Sequence, residues 1–341
     1  MLILRPVATG DLADLLELAG GLDSVNLPQD ETFLRARIED SRAAFAGNLR
    51  DPRDAVFTFV LEDLERSRCV GTSLIIAKQG RPGLPYYWLE VSQEERRSPE
   101  LNRRFVHTKL RLRSTVDGPT EVGGLILDPA YRRHPERCGK ALSIVRFSYI
   151  SAHPERFEQQ IIAEMLSCFA APGKNRWWEA FGARFTGLPY READHLSAKT
   201  KQFIADLFPV DPVYLTLFSD DVKDMMGVPN ESSRPAVRIL EKIGFQPLNQ
   251  VDPFDGGPYY GAARDAIVSV RERRELVLPG EPRSETYPPD APLVLLSAES
   301  KGGFRATVVP LDEDEAPWVT AACREALGVQ GGDRVSVTPL P

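Results

Sequence analysis

Short apolar runs and helically spaced apolar residues alternate along this chain, and their order gives the first indication of its fold. Residues 2–4 (Leu-Ile-Leu) form a first strand. Thr9 can cap a helix through Ala19, because Leu12, Leu15, Leu16 and Ala19 fall on one helical face. Asp30 or Thr32 starts a second helix carrying Leu34, Ile38 and Phe45. Residues 55–61 and 69–77 are apolar strands joined by a charged turn, the pattern of a hairpin. Residues 86–91 and 105–112 read as further extended segments, and 160–165 as a short buried strand. Residues 167–230 are a long excursion rich in aromatics (Trp177, Trp178, Phe181, Phe185) and turn residues. A helix over 233–243 follows, and Gly244-Phe245 opens another strand.

After Arg274 the composition changes. Pro279-Gly280, Pro282 and Pro288-Pro289 mark a linker, and strand candidates at 293–296, 305–309 and 334–337 surround a turn at Gly331-Gly332-Asp333. The pattern predicts an α+β domain over 1–275, with an insertion at about 167–230, and a small, mainly β subdomain over 276–341.

The most informative stretch is 120–147. It reads as an apolar strand ending at Asp128-Pro129, a basic loop containing Arg132, Arg133, Arg137, Gly139 and Lys140, and then a helix. The free N–H groups and positive dipole end of a helix start favour an anion, and glycine lets the backbone approach it. A phosphate-rich carrier ligand is implied. Cys138 at that helix start either has a lowered thiol pKa or simply packs.

Bulk properties narrow the class. The 341 residues carry a net charge of −7, with a pI near 5.4, which argues against general nucleic-acid binding. Cys69, Cys138, Cys168 and Cys323 show no paired spacing, so neither a metal site nor a disulfide framework is legible and a reducing cytoplasm is expected. No apolar run approaches the ~20 residues of a membrane helix.

Strands, then strand–phosphate loop–helix, strand, helix and a Gly-Phe strand, is the order of the GNAT acyl-CoA N-acyltransferase fold, which the chain resembles. The likeness rests on Glu136-Arg137-Cys138-Gly139-Lys140-Ala141 and on Ser233-Arg234-Pro235-Ala236 running to Lys242-Ile243-Gly244-Phe245. A narrower resemblance, to the arginine N-succinyltransferase family, covers most of the chain. Its matching words include Leu27-Pro28, Leu127-Asp128-Pro129-Ala130-Tyr131-Arg132, Leu142-Ser143 with Arg146-Phe147, Ala163-Glu164-Met165, Trp178-Glu179-Ala180-Phe181-Gly182 and Phe254-Asp255-Gly256-Gly257-Pro258.

The resemblance implies transfer of succinyl from succinyl-CoA, a cosubstrate, to the α-amine of arginine or ornithine, with no tightly bound cofactor and no metal. It also implies a homodimer, or a heterodimer with a paralogous subunit, and no nucleic-acid or membrane partner. Backbone amides of Leu125, Ile126 and Leu127 would hold the oxyanion. The basic loop with Cys138, Gly139 and Ala141 would hold the carrier. The paired glycines Gly123-Gly124 could permit the strand splay that exposes those amides.

Asn230 stands where the family has its proton-donating histidine, and Leu240 where the wider fold has a tyrosine. The phosphate loop is about two residues longer than the family's. Glu121 is a candidate base or amine anchor, and equally a strand-end charge. His195 is a candidate substitute acid. Asp252 and Asp255 are natural partners for a guanidinium. The alternatives are an N-acyltransferase for another amine or acyl chain, and a non-catalytic acyl-CoA-binding subunit. The basic run from Arg96 to Arg113 either meets the carrier's outer phosphate or is a charged sheet edge or a subunit interface.

Overall fold

The computed structural model describes residues 1–20, 29–168, 174–197, 199–284, 286 and 291–341; Leu27-Pro28 and Pro288-Pro289 lie outside them. The strands, in chain order, are β1 Leu2–Pro6, β2 Val56–Asp63, β3 Arg68–Ile76, β4 Tyr86–Ser98, β5 Arg103–Thr115, β6 Thr120–Leu127 and β7 Gln160–Glu164. They continue with β8 Val213–Tyr214, β9 Gln246–Val251, β10 Pro258–Ala263, β11 Arg274–Val277, β12 Leu293–Ser300, β13 Gly303–Pro310 and β14 Arg334–Pro339. Among the described residues all of them join one sheet, in the order β11-β14-β12-β13-β1-β2-β3-β6-β7-β10-β9-β4-β5-β8. The helices are α1 Leu12–Gly20, α2 Glu31–Phe45, α3 Cys138–Ala152, α4 Arg176–Ala180, α5 Gly182–Thr186, α6 Tyr190–Ser197, α7 Gln202–Leu207, α8 Asp220–Met225, α9 Arg234–Lys242, α10 Val268–Arg271 and α11 Ala321–Leu327.

The central strands read as unbroken apolar runs because helices cover both faces. On one face Leu15 and Leu18 of α1 and Leu34 and Ile38 of α2 pack on Val60, Cys69 and Ile126. On the other, α3 packs with Phe57, Phe59, Val70 and Val122. Helix α3 is apolar almost all round because α9, α10 and the C-terminal strands enclose its outer side. Asp30, not Thr32, caps α2, accepting from the Phe33 N–H at 3.0 Å. Before α1 a short 3₁₀ turn intervenes, held by Asp11, which accepts from the Ala8 N–H at 2.7 Å.

The expected α+β architecture holds, and three details differ from the sequence reading. The hairpin β4–β5 is longer than the apolar runs, because charged residues continue it. Arg96, Arg97, Arg104, Lys109 and Arg113 pair with Glu94, Glu95, Glu95, Glu94 and Glu90 along its exposed length. This basic run is therefore largely ion-paired near the end of the sheet. The C-terminal strands keep their own apolar cluster, yet β13 pairs with β1 and extends the same sheet. Strand β10 went unread because Gly257, Pro258 and Gly261 resemble a turn.

Strand β6 carries the feature that positions the chemistry. Val122 faces α3, whereas Ile126, four residues on, faces α1 and α2. An unbroken strand would put both on one face. The flip occurs at Gly124, whose φ is +58°, where the β3–β6 register shifts. A Cβ at Gly124 would lie 2.7 Å from Leu74 Cδ2. We expect Gly124→Ala to cost about 1–3 kcal/mol, from left-handed strain and crowding. Urea unfolding of variant and parent would measure it.

Candidate active site

Strands β6 and β7 run parallel but pair only at Thr120–Ile161 and Glu121–Ile162. Beyond those residues they separate into a slot. Strand alternation shows which groups face it. Gly118 N–H bonds Gln79 O at 2.9 Å, and Asp128 N–H bonds Val70 O at 2.8 Å. Counting back from Asp128, Ile126, which is in register with Thr72, also turns its backbone toward β3. The amides of Leu125 and Leu127 therefore face the slot and that of Ile126 does not, which narrows the expected trio to two.

Leu127 leads into the basic loop. Tyr131 anchors it through a 2.5 Å bond from its hydroxyl to Asp63. Arg133 and Arg137 both adopt left-handed backbone, with φ of +64° and +53°. Such conformations in non-glycine residues concentrate at ligand clamps. Arg137 caps α3, so Cys138 and Gly139 present the unpaired amides of its first turn. A Cβ at Gly139 would meet only Leu127 Cδ2 at 3.8 Å. Packing within the chain therefore does not require glycine there, whereas close approach of a ligand would. Ala141 is buried in the core. Burial pushes the Cys138 thiol up to about 12, so it packs rather than reacts. Lys140 departs from the expectation: its ammonium is engaged by the carbonyl of Pro341. Arg132 and Arg133 remain exposed.

On the α1–α2 face of the sheet, beside the start of the slot, lies a cavity of about 170 Å³. Five carboxyls line it: Glu121 of β6, Glu164 at the end of β7, Asp194 of α6, and Asp252 and Asp255 in the turn after β9. Glu164, Asp252 and Asp255 bring carboxylate oxygens within 4.8 Å of one another, a set that could hold a cation.

Each acid is positioned by neighbours. Gln79 donates to Glu121 at 2.5 Å. The Tyr259 hydroxyl donates to Glu164 at 3.0 Å. Asp252 accepts from the amides of Phe254 and Asp255 at 2.7 and 3.0 Å. Asp255 accepts from those of Ser167 and Gly257 at 2.8 and 2.7 Å. A Cβ at Gly257 would sit 2.1 Å from Met165 O, so that close approach requires glycine.

The aromatic insertion braces this wall. Trp177 donates its indole N–H to Pro253 O at 3.2 Å, and Trp178 stacks on Phe254 with centroids 4.9 Å apart. Lys201 is the one cation lining the cavity among the described residues.

Five carboxyls in so small a space resist ionising together. Burial raises Glu121, and Gln79 only partly opposes it. Burial, with Asp252, Glu121 and Asp255 beside it, raises Glu164 well above the usual carboxylate range. Burial and Asp252 push Asp255 up to about 7 and Asp194 up to about 6. An arriving cation relieves that repulsion, so the cavity suits an ammonium or a guanidinium.

The sequence candidates divide accordingly. Glu121, Asp252 and Asp255 meet in the cavity. His195 is exposed and lies outside its lining; its neighbour Asp194 points in instead. Asn230 sits just behind the wall. Its N–H donates to Leu166 O at 2.9 Å, and its side-chain oxygen accepts from Ser233 N–H at 2.8 Å, bracing the turn before α9. Leu240 is buried in the core and offers no donor. Glu164, Asp194, Tyr259 and Lys201 were missed. Glu164 carried a signal, as a charge ending an apolar strand in a shared word, and Lys201 opens another stretch shared with the family.

A family described as "Arginine N-succinyltransferase beta subunit" matches residues 2–269, and its C-terminal domain matches 277–339. The arginine N-succinyltransferase of Yersinia pseudotuberculosis serotype O:3 (strain YPIII) is 35% identical over 347 residues, spanning 100% of this chain and 98% of the relative. That of Escherichia coli O17:K52:H18 (strain UMN026 / ExPEC) is 33% identical, with the same two coverages. The solved structure of arginine/ornithine succinyltransferase subunit AI from Pseudomonas aeruginosa superposes with a TM-score of 0.84 at 26% identity, covering 100% of this chain and 99% of that one. This chain, with its splayed strands, basic loop and acidic cavity, belongs to the arginine N-succinyltransferase family.

Proposed function

We propose that this chain transfers an acyl group, succinyl in the first instance, from acyl-CoA to the α-amine of arginine or ornithine. The observation that carries this reading is the meeting of the β6–β7 slot with a five-carboxylate cavity at Glu121. The carrier's phosphates lie on the start of α3, and the thioester lies along β6. Asp194, Glu164 and Asp252 hold the side-chain cation of the acceptor, and Lys201 meets its carboxylate.

Glu121 takes a proton from the α-ammonium, which titrates near ~8. The neutral amine attacks the thioester carbon, and the Leu125 and Leu127 amides receive the oxyanion. The C–N bond forms, the C–S bond breaks, and the second proton of the attacking nitrogen passes through solvent to the departing sulfur. A thiol of pKa about 8.5 departs readily as thiolate, so a strong acid at position 230 is not obligatory. Asn230 braces the turn before α9 and has no proton to give. The four cysteines are free thiols, which supports a reducing, cytoplasmic setting. A homodimer, or a heterodimer with a paralogous subunit, remains the expected assembly.

Thiol release from succinyl-CoA, measured across a panel of amines, tests the proposal. Release with arginine or ornithine supports it. Release with another amine alone reassigns the acceptor. Donor binding without release supports the non-catalytic subunit, the reading that Asn230 favours.

Proton linkage gives a further expectation. In the empty cavity Asp194 and Asp255 titrate near 6 and 7, against about 4 in an unfolded chain. Between those values the folded protein holds more protons, so these groups make it less stable as pH rises from about 4 to 7. Binding of a cation releases the protons, so acceptor affinity rises over the upper part of that range. Asp194→Asn should flatten both trends, read from thermal unfolding and from KM at pH 5.5 and 7.5.

A further inference from the structure

Arg146, on the third turn of α3, is buried at 3% exposure, and its three hydrogen-bond partners are all neutral. Its Nε donates to Ser143 O at 3.1 Å, one terminal nitrogen to Ser143 Oγ at 2.9 Å, and the other to Gly123 O at 3.3 Å. No carboxylate pairs with it among the described residues. A buried cation without a counter-charge is costly, and burial alone pulls this guanidinium down to about 9.

Its place is specific. Gly123 lies just past the last β6–β7 pair, and its carbonyl accepts from Arg146, which ties the guanidinium, from the α3 face, to the point where the two strands part. The acidic cavity occupies the opposite face: a Cβ at Gly123 would lie 3.5 Å from Glu121 Oε1.

Resting on the acyl-transfer reading above, we infer that the Arg146 guanidinium at the crotch of β6 and β7 is the subsite for a terminal carboxylate on the donor's acyl chain, and so selects a dicarboxylic monothioester. A thioester held by the Leu125 and Leu127 amides can send its acyl chain two ways. The cavity side presents five carboxyls, and Lys201, its one cation among the described residues, is taken by the acceptor's own carboxylate. The crotch presents an uncompensated guanidinium, to which carboxylates bind strongly. The same geometry orients the chain away from the attacking amine.

The test compares succinyl-CoA with butyryl-CoA, in which a methyl replaces the carboxylate, on the full chain and on Arg146→Met and Arg146→Lys. Affinity is read by calorimetry and turnover by thiol release. The parent should bind succinyl-CoA at least about 100-fold more tightly than butyryl-CoA. Arg146→Met should abolish that preference while leaving butyryl-CoA affinity within a few-fold, and Arg146→Lys should retain part of it. Equal binding of both donors by the parent overturns the inference, as does a parallel loss of both donors in Arg146→Met and Arg146→Lys, which would mark Arg146 as a prop for the splay. A parent that binds neither donor overturns the acyl-transfer reading itself, whereas equal binding of both leaves that reading standing.

Discussion

Replacing Glu164 with Gln together with Asp252 with Asn should raise the KM for arginine by roughly 100-fold or more while leaving the KM for the acyl donor within a few-fold. The two side chains converge with Asp255 on one point, their oxygens within 4.8 Å. Asp255 has both oxygens occupied by backbone amides, so it braces the turn. Glu164 and Asp252 keep oxygens facing the cavity and carry the work of binding the cation. Because burial raises their pKa values, with neighbouring carboxylates adding to it at Glu164, the amide variants should also stabilise the empty protein as the pH rises and the parent is forced to ionise them. Weaker acceptor binding together with a more stable apo-protein is a paired outcome that general damage would not give. Steady-state kinetics in both substrates and thermal unfolding would read the pair.

Glu121→Gln should act on a different constant. It keeps the hydrogen-bonding shape toward Gln79 but cannot take a proton, so kcat should fall about 10²–10⁴-fold. Acceptor KM should change far less, because four other cavity carboxyls remain. Glu121 is singled out by position: it is the last β6 residue paired to β7, at the mouth of the slot. A raised pKa brings a carboxylate base closer to the amine it must deprotonate. Raising the pH should partly rescue the variant, since more amine is then neutral. If the variant loses acceptor affinity and keeps kcat, Glu121 is an anchor for the amine and the base lies elsewhere.

Much of the fold was legible because it is written in local pattern. The apolar runs of β2, β3 and β6, the basic loop and the α3 and α9 helices each declare themselves within a dozen residues. The Gly123-Gly124 pair announced a splay, and the positive φ of Gly124 together with the β3–β6 register shift delivers it. The acidic cavity was only partly legible, because it is assembled by strand order. The sequence β7-β10-β9-β4 sets Glu164, Tyr259, Asp252 and Tyr86 side by side from positions far apart in the chain. No spacing rule links them.

The choice of His195 over Asp194 shows the same limit. Adjacent helical residues point about 100° apart, and without the tertiary frame the titratable imidazole drew attention while the inward face belonged to the aspartate. Arg146 stood in a shared word, yet nothing in the sequence showed that its guanidinium would be buried without a counter-charge. Asn230 was read as a lost acid; the structure gives it a present task, bracing the turn ahead of α9.

In this reading of the site, the five-carboxylate cavity presents a cationic amino acid to a thioester held in the β6–β7 slot. The most direct measurement is CoA release from succinyl-CoA with arginine against citrulline, which has the same shape and α-amine but a neutral side-chain end. Turnover is expected with arginine and, for citrulline, a kcat/KM at least about 100-fold lower. Equal rates with the two acceptors, or release with neither while a neutral amine is acylated, would contradict it.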